Sequence, residues 1–252
     1  MNSLQTNNVT TVYAGTGDES YELKICSRDI PNFDNALDDI DILSNIEREY
    51  FFNCVTKKRR AEFLYGRLVA KLAINDYLDN GVLRSISIEK GVFNYPIVKK
   101  INKSINVSIS HSEGKVIAIA YPEEFLIGID IEKIKKNNIN IISMFEVDRI
   151  LIERNYNNLK LTEEHYATII WSSKEAIAKA LRIGFTANID IFAISNIAVK
   201  EKWYEISFES FSNFVAYSFL LNEYVITVAC PKSLIMNWES FALYLLRLEL
   251  FL

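Results

Sequence analysis

At 252 residues the chain can form one large domain or two halves of ordinary size, and with half of it apolar and 12% aromatic it is globular rather than disordered. A net charge of −4 excludes a generic nucleic-acid binder, which would be basic overall, and still allows a local basic patch. Cys26, Cys54 and Cys230 are widely spaced and form no CxxC pair, as expected of reduced cytosolic thiols. Residues 1–11 are polar and lack both a basic cluster and an apolar core, so no signal peptide is expected. The apolar tail, residues 241–252, is broken by Arg247 and Glu249 and is too short to span a bilayer. A cytoplasmic protein with no membrane and no nucleic-acid partner is the expectation.

In chain order, residues 9–14 and 21–26 read as strands around the turn Gly15-Thr16-Gly17-Asp18. Residues 31–35 read as a loop, and Ser44 with Glu47 has the spacing of a capping box opening a short helix. The apolar stripe Ala61, Leu64, Leu68, Leu72 predicts a helix over 57–78, closed by Asn80-Gly81. Gly66 inside it suggests close packing or ligand approach. Its first turn, Lys57-Lys58-Arg59-Arg60, places positive charge where a helix N-terminus disfavours it, and a nearby anion would relieve that. Residues 85–89 read as a strand and 91–103 as a loop around Pro96. Three strand-like runs follow at 105–109, 115–121 and 126–132, which suggests a meander. Residues 140–155 are moderately helical. Thr162 with Glu163-Glu164 opens a longer helix to about Arg182, closed by Gly184. Strands are expected at 194–199, 203–208, 213–220 and 224–230, then a helical tail from Trp238 that either packs on the second half or binds a partner. The order strands, helix, strands, helices, strands is that of an α+β protein with antiparallel pairing. Gly66-Arg67-Leu68-Val69-Ala70-Lys71 and Lys174-Glu175-Ala176-Ile177-Ala178-Lys179 echo one another and suggest two halves.

The candidate chemistry begins at Ile127-Gly128-Ile129-Asp130-Ile131-Glu132. Residues two apart on a strand share a face, so Asp130 and Glu132 project together, with Gly128 on that face leaving room for a ligand. Two adjacent acids ask for a cation, and oxygen-only ligands suit Mg²⁺. Taken alone the pair also reads as an exposed edge strand. Trp171, Glu175 and Lys179 follow at i, i+4 and i+8 on one helix face. In isolation that is a surface ion pair beside a core tryptophan. With the strand acids, Glu175 becomes a third carboxylate and Lys179 a phosphate contact. Ser110-His111 leaves a strand into a turn with no orienting acid evident, which suits phosphate binding better than nucleophilic catalysis. His165 reads as structural. No Gly-rich P-loop, GxGxxG or HExxH is present.

On three of these stretches, 127–132, 171–181 and 108–112, the sequence resembles the 4′-phosphopantetheinyl transferase superfamily, in its larger, two-halved branch that activates nonribosomal peptide and polyketide synthases. Trp-x-x-Lys-Glu-Ala and Glu62-Phe63-Leu64-Tyr65-Gly66-Arg67 are similar to the enterobactin-type subgroup. The loop departs from the family pattern in having Tyr95 before Pro96, and Ser108 stands where an asparagine is common. The resemblance implies two similar α/β halves related by a pseudo-twofold axis, each with an antiparallel sheet and a long helix. Residues 1–112 would contribute coenzyme A phosphate contacts and 113–252 the Mg site and catalytic helix. It implies transfer of 4′-phosphopantetheine from coenzyme A to a serine of an apo acyl or peptidyl carrier protein by a monomer, releasing adenosine 3′,5′-bisphosphate and serving secondary metabolism. By motif, Asp130, Glu132 and Glu175 would hold Mg²⁺, and Glu175 would also be the base. Lys174 and Lys179 would contact coenzyme A phosphates, Ser110 and His111 its phosphoadenosine end, and Arg60 and Arg67 its 3′-phosphate. Its rivals are a non-catalytic carrier-protein or coenzyme A binder and a Mg-dependent phosphohydrolase.

Overall fold

Residues 9–31, 37–78, 82–136, 161–186 and 188–250 are described by the structure, a computed structural model. The chain forms two compact units. One holds the residues through Ala14 together with Ser20–Glu124, and the other holds Gly15–Glu19 and the chain from Phe125 onward.

Strands β1 (Val9–Thr16) and β2 (Glu19–Asp29) belong to the first unit except at their shared turn, residues 15–19, where Gly17 has φ 63°. The capping box is present at α1 (Asn45–Asn53): Ser44 Oγ accepts from Glu47 N, and the Glu47 carboxylate accepts from Ser44 N at 2.8 Å. Helix α2 (Lys57–Leu78) has the bounds its apolar stripe predicts. It is followed by β3 (Ser87–Lys90), β4 (Pro96–Lys99), β5 (Ile105–Ser112) and β6 (Lys115–Pro122). The sheet runs β1-β2-β6-β5, and β3 pairs with β4 as a separate hairpin. Helix α2 lies on β5 and β6, burying Leu64, Leu68 and Leu72 with Val107, Val116 and Ala118.

The second unit contains β7 (Gly128–Lys133), α3 (Glu163–Ala180), β8 (Ile194–Val199), β9 (Tyr204–Phe208), β10 (Phe214–Leu220), β11 (Tyr224–Pro231) and α4 (Trp238–Leu250). Its antiparallel sheet runs β7-β11-β10-β9-β8. Helix α3 covers β7, β10 and β11, packing Tyr166, Ile170 and Ile177 with Ile206, Ala216 and Val225. The class is α+β with antiparallel sheets.

Several expectations change. The loop at 91–103 contains β4, whose first residue is Pro96, a strand position where the missing N–H is tolerated. The meander stops at β6: both of its edges are taken by β2 and β5, so β7 pairs instead with β11, Asp130 opposite Thr227. A boundary at 112/113 falls in the turn of the β5–β6 hairpin, whose register runs from Ile105↔Pro122 to Ser112↔Lys115, whereas the compact units divide at Glu124/Phe125. Helix α3 closes on Arg182 rather than glycine. Arg182 takes the left-handed conformation (φ 61°), with Ile183 N donating to Ala178 O and Arg182 N to Lys179 O, the two bonds of a Schellman motif. Gly66 has no close approach, since a Cβ there would sit 3.5 Å from Ile109 Cγ2, ordinary contact. The helical reading of 140–155 and the loop at 32–35 lie outside the described residues. Among the described residues no helix is long and apolar enough to cross a membrane.

Candidate active site

From Ser172 to Ala180 every residue of α3 is buried except Glu175 and Lys179, which continue the half-exposed stripe begun by Trp171. The ion pair is present, on a helix whose other faces are buried. The helix is sunk in its unit, and one narrow stripe of three side chains is left open.

The stripe faces β7. Lys179 Nζ donates to Asp130 Oδ1 at 2.6 Å and stands 3.9 Å from Glu175 Oε2. Asp130 is 1% exposed, so its charge has no recourse to bulk water. One turn back along α3, Trp171 Nε1 donates to Glu132 Oε1 at 3.1 Å. The strand period therefore delivers both acids to the helix stripe, each against a different residue.

Gly128 makes this approach possible. A Cβ there would lie 2.0 Å from Ala176 O and 2.5 Å from Ala180 N. The glycine lets strand and helix backbones meet. It does not make space for a ligand, which corrects the reading of it as room on the acid face.

Electrostatics set the protonation. Burial pushes the Glu175 carboxyl up to about 7; Lys179 opposes the rise, and the like charges of Asp130 and Glu132 add to it. For Lys179 burial works to lower the pKa, but Asp130 and Glu175, with the hydrogen bond to Asp130, outweigh it and leave the ammonium above its usual range.

The donor set of Asp130, Glu132 and Glu175 is all carboxylate oxygen, the type a hard divalent cation takes. The repulsion that raises Glu175 is one such a cation would relieve. The donor type suits Mg²⁺, but the arrangement does not gather the three into a site. Among the described residues no three acids, cysteines or histidines are drawn into a metal cluster. Lys179 serves as counter-charge to Asp130, and Glu132 is held by Trp171.

The remaining candidates are dispersed. Lys174 is 1% exposed and lies off the stripe. Ser110 is buried on β5, and His111 beside it is partly open. Arg67 is buried, its Nε 3.4 Å from Glu47 Oε1 and its guanidinium over the Phe63 ring. Burial lowers its pKa and Glu47 partly offsets this. Arg60 donates to Cys54 O at 2.9 Å and to Phe52 O at 3.3 Å, closing the end of α1. The arginine that meets His111 is Arg59, with Nη1 3.3 Å from His111 Nε2. Because arginine only donates, Nε2 is the acceptor and the neutral ring carries its proton on Nδ1, facing Glu62 Oε1 at 4.0 Å. Glu62 also stands 3.6 Å from Arg59 and 4.0 Å from Lys58, supplying the anion that the basic first turn of α2 requires. Arg59 further borders a cleft of about 360 Å³ with Tyr50, Asn53, Cys54, Val55 and Thr56. Lys90 Nζ lies 3.8 Å over the Tyr50 ring.

Sequence reasoning missed Arg59, Tyr50 and Lys90. A signal existed: Arg60, Leu64, Arg67 and Lys71 recur at helical spacing, so both nominated arginines share a face with core residues.

Residues 126–229 match the profile of the 4′-phosphopantetheinyl transferase superfamily. The matched segment lies in the second unit and contains Asp130, Glu132, Trp171, Glu175 and Lys179. No curated protein matches the chain. Solved structures similar to part of it include a holo-(acyl-carrier-protein) synthase from Bacillus anthracis str. Ames in complex with CoA (3′,5′-ADP), 21% identical over 44% of this chain and 96% of that one, TM-score 0.36. A holo-ACP-synthase from Plasmodium yoelii is 17% identical over 45% of this chain and 94% of its own, TM-score 0.34. A holo-[acyl-carrier-protein] synthase from Thermotoga maritima is 20% identical over 47% and 69%, TM-score 0.33.

Proposed function

We propose that the chain is a Mg²⁺-dependent transferase that moves 4′-phosphopantetheine from coenzyme A to a serine of an apo acyl or peptidyl carrier protein, releasing adenosine 3′,5′-bisphosphate. The observation that carries this reading is the open stripe Trp171-Glu175-Lys179 on an otherwise buried helix, set against Asp130 of β7 and inside the segment that matches the superfamily.

The chemistry follows from the groups. A carrier serine hydroxyl is a weak nucleophile and needs a base. Glu175 is the carboxylate proposed to accept that proton while the serine oxygen forms its bond to phosphorus. The bond from phosphorus to the bisphosphate leaving group breaks, and Lys179 offsets the charge that develops there. Asp130 keeps the lysine charged and in place. Mg²⁺ held by Asp130, Glu132 and Glu175 would neutralise the pyrophosphate. In the first unit, Ser110 and His111 are proposed for the phosphoadenosine end and Arg60 and Arg67 for the 3′-phosphate, with Arg59, whose Nη1 lies 3.3 Å from His111 Nε2, added to the set. The enzyme is read as a cytoplasmic monomer that serves peptide or polyketide carrier domains.

The test incubates the protein with coenzyme A, Mg²⁺ and a panel of apo carrier domains, then weighs the carriers. A mass gain of one phosphopantetheine that Glu175→Ala abolishes supports the reading. Coenzyme A bound without transfer points to a binding protein, and phosphate released without an acceptor points to a phosphohydrolase; either result overturns it.

A further inference from the structure

His111 and Arg59 meet where the end of β5 passes the first turn of α2. Arg59 Nη1 stands 3.3 Å from His111 Nε2. A guanidinium carries only donors and is not deprotonated in proteins, so Nε2 must supply the lone pair. The contact therefore requires a neutral ring with its proton on Nδ1. A second proton, on Nε2, would set N–H against N–H and bring two positive charges together. The contact and a charged ring exclude one another.

The surroundings give a protonated ring little to turn to. On α2, Glu62 Oε1 lies 4.0 Å from His111 Nδ1, but the same carboxylate is 3.6 Å from Arg59 and 4.0 Å from Lys58, so two cations already share it. In the β5–β6 turn, Glu113 stands 3.9 Å from Lys58. On β6 the residue opposite His111 is the apolar Val116. A phosphate group changes the balance. Arriving at this pair, its anionic oxygens meet the lone pair on Nε2. They are accommodated when Arg59 passes from the ring to the phosphate and Nε2 takes a proton from water. Both side chains then donate to one anion, whose charge offsets theirs.

We infer that the Arg59–His111 contact is a proton-linked latch, closed around a neutral ring in the free protein and opened by a bound phosphate group with uptake of one proton at His111. This rests on the reading that coenzyme A places a phosphate at His111, and the two measurements that follow separate the latch from that reading.

The first needs no ligand. The chain has two histidines, so each ring can be followed in the intact protein by long-range ¹H–¹⁵N correlation, with His111→Gln assigning the signals. At about pH 8 the His111 ring should carry its proton on Nδ1. Arg59→Met removes the cation facing Nε2, and the midpoint of the ring's titration should rise by about 0.5–1 pH unit, the effect of a unit charge at contact in water. A proton on Nε2 at about pH 8, or a midpoint that Arg59→Met leaves unmoved, overturns the latch.

The second is calorimetric titration of the full chain with coenzyme A in buffers of different ionisation enthalpy, which counts the protons taken up. At about pH 7.5 the phosphate monoester, with a second pKa of about 6, is already dianionic and contributes little uptake of its own. The wild type should take up as much as one proton, and its affinity should fall by up to about tenfold for each pH unit above that. His111→Gln should show neither effect. Binding without proton uptake, or uptake that persists in His111→Gln, overturns the linkage and leaves the functional reading standing. Absence of coenzyme A binding overturns the functional reading and the linkage with it.

Discussion

Lys179 Nζ lies 2.6 Å from Asp130 Oδ1, and Asp130 is 1% exposed, so the ammonium is a close counter-charge to a buried carboxylate. Removing the ammonium from beside a buried carboxylate is destabilising, by at most about 3–5 kcal/mol, the cost for a pair buried on both sides. Lys179→Met is therefore expected to lower stability strongly in the presence of a chelator, and Asp130→Asn/Lys179→Met to regain most of the loss. Urea unfolding of the two variants beside the wild type checks this. A Lys179→Met variant as stable as the wild type would show that the other contacts of Asp130 compensate its charge.

Two glycines on the long elements should respond oppositely to alanine. At Gly128 the added Cβ meets backbone at 2.0 Å, which no rotamer change relieves, so β7 and α3 must separate. Overpacking of this kind costs about 1–3 kcal/mol or more, and transfer activity should fall with it because Asp130 moves relative to Lys179. At Gly66 the added methyl meets only Ile109 Cγ2 at 3.5 Å, and helix propensity favours alanine by about 0.5–1 kcal/mol. Denaturation midpoints should therefore drop for Gly128→Ala and hold or rise for Gly66→Ala. Equal behaviour of the two would mean that the strand–helix contact yields more easily than its geometry implies.

What could be read in the sequence was whatever repeats at a local period. The stripe Ala61-Leu64-Leu68-Leu72 marked α2, and the alternation of residues 128–132 placed Asp130 and Glu132 on one face. The i, i+4, i+8 series placed Trp171, Glu175 and Lys179 on one stripe, and the structure brings these two sets together. What could not be read was the partner of each face. Nothing local says that β7 pairs with β11, nearly the whole second unit away in sequence, rather than with the adjacent β6. Nothing local says that Glu47, visible as a capping residue, is also the anion for Lys71 at 2.5 Å and for Arg67. Nor does anything local tell that Arg67 is buried against Glu47, since a buried arginine and a ligand-facing one look alike until their partner is known. Gly128 was misread for the same reason, since the space beside it belongs to Ala176 and Ala180 of a helix far along the chain.

The pH dependence of stability in chelator should carry the signature of Glu175. Its carboxyl is raised from an ordinary 4.5 to about 7 in the folded protein, chiefly by burial. Between those values the folded state holds a proton that the unfolded chain has released, so stability falls as pH rises through the window and levels off above it. At about 1.36 kcal/mol for each pH unit the loss amounts to roughly 3 kcal/mol. Glu175→Gln cannot ionise, so it should match the wild type near pH 4.5 and exceed it above pH 7. Parallel stability curves for the two proteins across that range would refute the assignment. Divalent cation held by Glu175 should abolish the difference, because the cation takes the place of the proton.

The C-terminal helix α4 offers a prediction about folding rather than chemistry. Its first turns are seated on β10: the Trp238 ring is 4.0 Å from that of Tyr217, and Phe241, fully buried, meets Phe219 edge-on at 4.9 Å. Aromatic side chains buried this way cost about 3–5 kcal/mol when cut to alanine. For a unit of this size each kcal/mol moves the melting temperature by about 2–4 °C. Phe241→Ala should therefore lower it by roughly 10 °C, and truncation before Trp238 by more. Leu243 and Leu246 lie on the opposite, exposed face of the same helix, and their change to serine should leave the transition nearly where it was. Calorimetry of these variants separates the roles. An unmoved transition after truncation would mean that the helix does not support the unit, and would turn attention to its exposed leucines as a surface for a partner.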